Sequence, residues 1–260
     1  MSLLLLSGNT VPLAPTSLST LVAWYSARTL GSLWQDSGRT TPVAANADPV
    51  GAWDDLSGNA RHIVQATAGS RPAYSAAGFN GYPCLTFDGT DDFLASVAAW
   101  VATVFGGTDK PYAVAAVCRT TTIGPRSVIG TASTGGATQQ NRFSYSSADS
   151  LQITRTNDAA ATVNNTPPSG GLSTNVPYVL SGIYTGATSE LFAGYTRIYQ
   201  PTAAGTGANT MDKFAVGALP RPTPATFWVG DIAEVVIATS LTPRELTGVT
   251  KYLLSRYGLG

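Results

Sequence analysis

The sequence predicts an all-β fold, an antiparallel sandwich carrying a C-terminal amphipathic α-helix. Three observations lead there. Charged residues are 12% of the 260, about half the share usual in soluble domains. The chain instead holds 27 glycines and 16 prolines, residues that punctuate many short strands. Strand-like segments recur roughly every ten to twenty residues, with no alternating helices of the kind βαβ units need. One strong helix signal stands at the C-terminus.

The elements follow in order. Leu21-Val-Ala-Trp-Tyr-Ser-Ala27 reads as the first firm strand. Residues 53–59 form a polar turn, and residues 61–66 resume an extended pattern. Residues 84–94 read as strand, turn, strand, with Asp88-Gly89 supplying positive-φ geometry. Residues 98–105 form a short helix or a buried loop, ended by Gly106 and Gly107. Strands follow at 111–119, 126–130, 141–146 and 150–156, the last two paired. Residues 164–171, rich in Asn, Pro and Gly, read as a loop. Residues 177–184 and 189–195 form a hairpin around Thr185-Gly186. Residues 201–209 are a loop, 213–217 a short strand and 220–224 a proline-rich bend. Residues 227–238 are the longest strand.

Thr242-Pro-Arg-Glu245 is a capping box, in which Thr242 and Glu245 satisfy each other's backbone amides. Pro243 takes the first helical position, where its missing N–H costs nothing. Leu241 and Leu246 are spaced as a hydrophobic staple. Leu246, Val249, Leu253, Leu254 and Tyr257 share one face, and Gly258 sits where a helix stops. The pattern predicts a helix over 242–257.

Basic and acidic residues number 15 each and form no basic stripe, which excludes electrostatic nucleic-acid binding. Nothing reaches transmembrane length, so no membrane partner is expected. The apolar run from Leu3 to Leu6 is short and follows no Lys or Arg, so no signal peptide and synthesis in the cytoplasm are expected. Residues 1–18 read as an extended arm held open by Pro12 and Pro15, and residues 19–260 as one domain. Cys84 and Cys118 fit no metal or redox spacing and are expected as free, packed thiols.

Several segments together resemble the laminin-G-like, concanavalin A-like lectin/glucanase superfamily. They are Leu21 to Ala27, Trp53-Asp-Asp-Leu-Ser-Gly58, Arg71-Pro-Ala-Tyr74, Leu85 to Leu94, Gly230-Asp-Ile-Ala-Glu-Val-Val-Ile237 and the C-terminal helix. The resemblance implies a jelly roll of two antiparallel sheets. Domains of this kind with a trailing helix are frequent in bacteriophage particle proteins and in bacterial surface proteins. The expected function is therefore a non-enzymatic structural protein of a virion, a head decoration, fibre or tail-associated subunit. Its partners would be other virion subunits, as a homo-oligomer within the assembly, and a cell-surface glycan. The alternative is a glycan-binding lectin or adhesin module; a glycoside hydrolase comes third.

Catalysis lacks a residue set. Glycoside cleavage needs two carboxylates flanking one bond, and positions i and i+2 share a strand face. Asp231 and Glu234 are three apart. On a regular strand Asp231 would face with Ala233 and Val235, and Glu234 with Ile232 and Val236. His62, the sole histidine, has no nucleophile motif beside it. No cofactor is expected, calcium excepted. Some laminin-G-like domains bind it, and two turns offer oxygens: Asp55, Ser57 and Asn59, then Asp88, Asp91 and Asp92. For a sugar-stacking platform the candidates are Trp34, Trp100, Tyr145, Tyr195 and Tyr199. Trp24, Trp53 and Trp228 are assigned to the core.

Overall fold

Apolar residues two apart bury one face of each strand, and the chain answers with two large antiparallel sheets. The computed structural model describes residues 10–136, 138–146, 150–167, 172–199 and 205–260. The first strands are β1 (Leu21–Ser26), β2 (Leu33–Trp34), β3 (Ala52–Trp53), β4 (Ile63–Val64), β5 (Ala73–Phe79), β6 (Tyr82–Asp88) and β7 (Leu94–Val97). A short helix, α1 (Ala99–Phe105), precedes β8 (Gly107–Thr108), β9 (Tyr112–Thr120), β10 (Arg126–Ala132), β11 (Gln140–Tyr145), β12 (Leu151–Thr156) and β13 (Thr162–Asn165). Then come β14 (Tyr178–Tyr184), β15 (Ser189–Ala193), β16 (Thr196–Tyr199), β17 (Ala208–Asn209), β18 (Lys213–Val216), β19 (Val229–Ala238) and α2 (Pro243–Arg256).

One sheet runs β16-β15-β14-β9-β19-β6-β5, with β1 also pairing β19. The other has nine strands among the described residues, in the order β13-β12-β11-β10-β18-β7-β4-β3-β2. Between them lie Leu85, Phe87, Val114 and Val235 from the first sheet and Leu94, Phe143, Ile153 and Phe214 from the second. On the first sheet's other face, Ala113, Ala115, Val117 and Val236 pack with Leu246, Val249, Leu253 and Tyr257 of α2. This sheet is thus buried on both faces, which is why β9 is apolar without alternation. The all-β sandwich with a C-terminal helix is the architecture the sequence predicts.

The helix forms as its signals require. Glu245 N donates to Thr242 Oγ1 at 3.3 Å, and Thr242 N to Glu245 Oε2 at 2.8 Å. Gly258 adopts φ +63°, letting Leu259 N bond Leu254 O at 2.9 Å. The stretch read as an arm is described only from residue 10. There it lies against α2 of its own chain, with Leu13 N donating to Gly248 O at 2.9 Å; residues 1–9 lie outside the described residues.

Three local readings change. The Asp88-Gly89 turn carries the chain from one sheet to the other, since β6 and β7 belong to different sheets. Asn164 and Asn165, read as loop, form the end of β13 and pair with Thr154 and Ile153. In the loop read at 201–209, Ala208 and Asn209 form β17 and pair with β8; residues 201–204 lie outside the described residues.

Candidate functional site

The nine-stranded sheet shows a polar outer face at β11, β12 and β13. Strand alternation puts Phe143, Tyr145, Leu151 and Ile153 into the core. The residues between them, Gln140, Arg142, Ser144, Gln152, Thr154 and Thr156, therefore face outward. Register aligns them in cross-strand rows: Gln140 with Thr156 and Thr162, Arg142 with Thr154 and Asn164, Ser144 with Gln152. Hydrogen bonds follow the rows. Gln140 Nε2 donates to Thr156 Oγ1 at 3.1 Å, and the hydroxyls of Thr156 and Thr162 lie 2.9 Å apart. Arg142 Nη2 donates to Thr154 Oγ1 at 3.3 Å, and Thr154 Oγ1 to Asn164 Oδ1 at 2.9 Å.

The rows leave hydrogen-bonding capacity over. Gln140 Oε1, Arg142 Nε and Ser144 Oγ, on three successive outward positions of β11, are buried without a partner. Gln140 is 9% exposed and Ser144 0%. Burying such atoms without a partner is costly, so this part of the sheet keeps polar groups at the expense of stability.

A second segment reaches this face. Gly130 on β10 lies opposite Arg142. A Cβ there would stand 2.6 Å from Ala218 O and 2.8 Å from Leu219 Cα, so only glycine lets the segment after β18 cross the sheet. That segment closes on itself through Leu219 N to Ala225 O at 2.9 Å and carries Arg221. Arg221 Nη2 donates to Thr138 O at 3.2 Å, just ahead of β11, while its Nε is buried without a partner. Burial, and then the positive charge of Arg221, hold the Arg142 guanidinium below its usual pKa. Burial does the same to Arg221.

The aromatic candidates do not gather into one platform. Trp34 faces outward at the far edge of the same sheet, opposite Ala52, with Nε1 donating to Asp54 Oδ2 at 2.8 Å. Trp100 packs on Phe105 and Phe214, under the guanidinium of Arg61. Tyr195 packs against the helix-side cluster and Tyr199 against the inter-sheet core. Tyr145 is 0% exposed and meets Trp228 edge to face, so it is a core residue and not a platform. Its strand position sets it on the face opposite Ser144, and the partner sheet buries that face.

The acidic pair corrects a second expectation. A bulge in β19 between Ile232 and Glu234 shifts the pairing with β9 by one residue. Both carboxylates consequently face the helix side of the sheet. Asp231 accepts from Thr86 Oγ1 at 2.8 Å and Arg119 Nε at 2.9 Å. Glu234 accepts from Trp24 Nε1 at 2.7 Å and from Tyr257 OH of the helix cap at 2.7 Å. Sharing a face does not make them a cleavage pair, since each is enclosed by its own donors. His62 Nδ1 accepts from Asp55 N at 3.1 Å and so braces a turn.

The two calcium candidates differ. Asp55 accepts from the amides of Trp24, Ser57 and Arg61, and Ser57 Oγ donates to it at 2.7 Å. Asn59 Nδ2 donates to the carbonyls of Leu21 and Val22. That set is turn chemistry. Asp88, Asp91 and Asp92 do converge, with ligand atoms within 4.8 Å of one another. Their oxygens already accept from the amides of Thr90 and Asp88 and from Ser70 Oγ. Burial, assisted by the charges of Asp88 and Asp91, pushes Asp92 up to about 6, although the Asp88 amide lowers it.

No protein-family model matches the chain, and no curated protein matches its sequence. Solved structures match in fold. Domain 4 of AbnA, a GH43 extracellular arabinanase from Geobacillus stearothermophilus, in complex with arabinotriose, aligns with a TM-score of 0.60 at 13% identity. The alignment covers 89% of this chain and 98% of that domain. Trypanosoma rangeli sialidase in complex with sialic acid aligns with a TM-score of 0.56 at 14% identity, over 97% of this chain and 36% of that one. The same sialidase with the inhibitor DANA gives 0.55, 13%, 94% and 36%. The chain spans between 23% and 37% of the sialidase chains it matches. Identities this low establish a shared β-sandwich fold. The expectation of a bacteriophage structural subunit is not upheld: the solved structures matched here are an arabinanase domain and sialidases. Among the described residues no helix is long and apolar enough to cross a membrane.

Proposed function

We propose that this chain is a glycan-binding module that holds an oligosaccharide, without cleaving it, on the outer face of β11, β12 and β13. The observation that carries the reading is the set of polar cross-strand rows on this face, which end at the exposed edge residues Thr162 and Asn164 and include unpartnered polar atoms along β11. Sugar hydroxyls both donate and accept, so they suit a face built of amide, guanidinium and hydroxyl groups. Support comes also from the fold, which it shares with a domain in complex with arabinotriose. Asn164 and Thr162, exposed at the edge of the sheet, would be the first groups a ligand meets.

The test is calorimetric titration of the full chain with a panel of neutral and acidic oligosaccharides. At least one should bind saturably, and Gln140→Ala and Asn164→Ala should each weaken it about fivefold to tenfold, the worth of one hydrogen bond. Binding to none of the panel, or binding that both variants leave untouched, would overturn the assignment. Release of reducing sugar from the bound oligosaccharide would overturn the non-catalytic part.

A further inference from the structure

Arg142 and Arg221 lie together on this face without a carboxylate partner, as Arg126 does elsewhere, whose Nε is likewise buried without an acceptor. Arg39, Arg119, Arg155, Arg197 and Arg256 each lie within 4.0 Å of a carboxylate. Arg142 and Arg221 have no such partner among the described residues. Arg142 donates to a threonine hydroxyl and Arg221 to a backbone carbonyl, and the Nε of each is buried without an acceptor. A guanidinium cannot shed its proton in a protein, so the two remain cations. Partly buried like charges repel and are poorly hydrated, an arrangement that a fold retains at a cost unless something neutralises it.

The pairing is built into the fold. It needs glycine at position 130, since any Cβ would displace the segment that carries Arg221. It needs the β11 register, which sets Arg142 between Gly130 and Thr154. Beside it, on the same strand, are the unpartnered oxygens of Gln140 and Ser144. Each guanidinium presents a planar fork of N–H donors that matches the oxygens of an oxyanion.

We infer that the glycan held on this face carries an oxyanion, a carboxylate or a sulfate ester, and that Arg142 and Arg221 together grip it. The inference rests on the glycan-binding reading and narrows it. Thr162 and Asn164, exposed at the edge of the sheet, would meet hydroxyls of the adjoining sugars.

Calorimetry with three ligands of matched length tests it: a neutral galacto-oligosaccharide, an oligogalacturonate and a sulfated galacto-oligosaccharide. One of the two acidic ligands should bind at least tenfold more tightly than the neutral one, and which one does distinguishes carboxylate from sulfate. The preference should fall to within twofold in Arg221→Gln, whose side chain lies on a surface segment, and in Arg142→Gln. Arg142→Lys, which keeps charge but loses the fork, should retain only part of it. Each variant's thermal unfolding would be recorded, and Arg221→Gln alone suffices if Arg142 variants unfold. Equal binding of neutral and acidic ligands would overturn the inference and leave the glycan-binding reading standing. So would an acidic preference that survives Arg221→Gln. No binding of any ligand would overturn both.

Discussion

Glu234 accepts a 3.0 Å hydrogen bond from Arg256 Nε, which fastens α2 to the central strand β19. The carboxylate is 0% exposed and also takes bonds from Trp24 Nε1, Ser26 Oγ and Tyr257 OH. Removing it leaves a partly buried guanidinium without its counter-charge and takes the acceptor from Trp24 Nε1 and Ser26 Oγ, while Tyr257 OH keeps Ala233 O at 3.2 Å. Glu234→Ala should therefore destabilise the fold by about 3–5 kcal/mol. Urea unfolding of the variant against the parent chain measures this, and Glu234→Gln should recover part of the loss. A change below about 1 kcal/mol would show that the helix holds by apolar packing alone.

Arg155 presents a second buried cation, 1% exposed at the end of the sandwich. Its Nε donates to Thr206 Oγ1 at 3.0 Å, Nη2 to Gly207 O at 2.9 Å and Nη1 to Asn141 Oδ1 at 3.3 Å. These bonds tie the β17 segment to β12. One lysine ammonium cannot reproduce a fork that spans three directions. Arg155→Lys should cost about 2–4 kcal/mol, the scale of two or three lost bonds to a charged group. Arg197→Lys, at a partly exposed pair with Glu190, should cost under about 1 kcal/mol. Parallel thermal melts would show the contrast.

Asp92 supplies a pH signature. Its carboxyl is held up to about 6 in the folded chain, against 3.8 for the ordinary group. The folded state thus binds the proton more tightly than the unfolded state. This contribution is fully present below about pH 4 and is lost as pH rises through about 6. Asp92→Asn keeps an oxygen for the Asp88 amide and abolishes the titration. Its stability relative to the parent should rise between pH 4 and pH 6, reaching about 1–2 kcal/mol at pH 7 after solvent screening. Melts across that range measure the difference. Taking the difference cancels Asp36, Asp48 and Asp109, whose lowered values act in the opposite sense.

Both cysteines are buried and free. Burial pushes the Cys84 thiol up to about 12, helped by Asp231, and Cys118 higher still. Thiolate is the reactive form, so neither should alkylate in the native state. Mass spectrometry after iodoacetamide at pH 8 should find no label in buffer and two labels in urea. Native labelling of either would mean that the strands β6 or β9 open readily.

The contrast between α2 and β19 shows what a single chain discloses. Every signal for α2 lies within a few residues: the Thr242–Glu245 box, the Leu241–Leu246 staple, the Gly258 stop. Helix bonds are local, so local chemistry specifies them. In β19 the alternation breaks at a bulge, and no residue within the strand marks it. It arises because the strand pairs with β9 along its whole length but changes partner on the other side, from β6 to β1. The inferred faces of Asp231 and Glu234 fail for that reason. Tyr145 differs: the sequence shows that it alternates with Ser144, but which of the two faces is buried depends on the partner sheet.

By itself the sequence determined the all-β class, the closing helix, the turn residues and the two inert thiols, because composition, alternation and capping act over short distances. It did not disclose the ligand face. Gln140, Arg142 and Ser144 look like ordinary polar residues of one strand, and Arg221 sits in a proline-rich bend nearly eighty residues on. Only the tertiary structure brings them together, through strand register and the passage over Gly130. It alone shows which polar atoms are left without partners, since that depends on every neighbour the fold supplies and not on the residue itself.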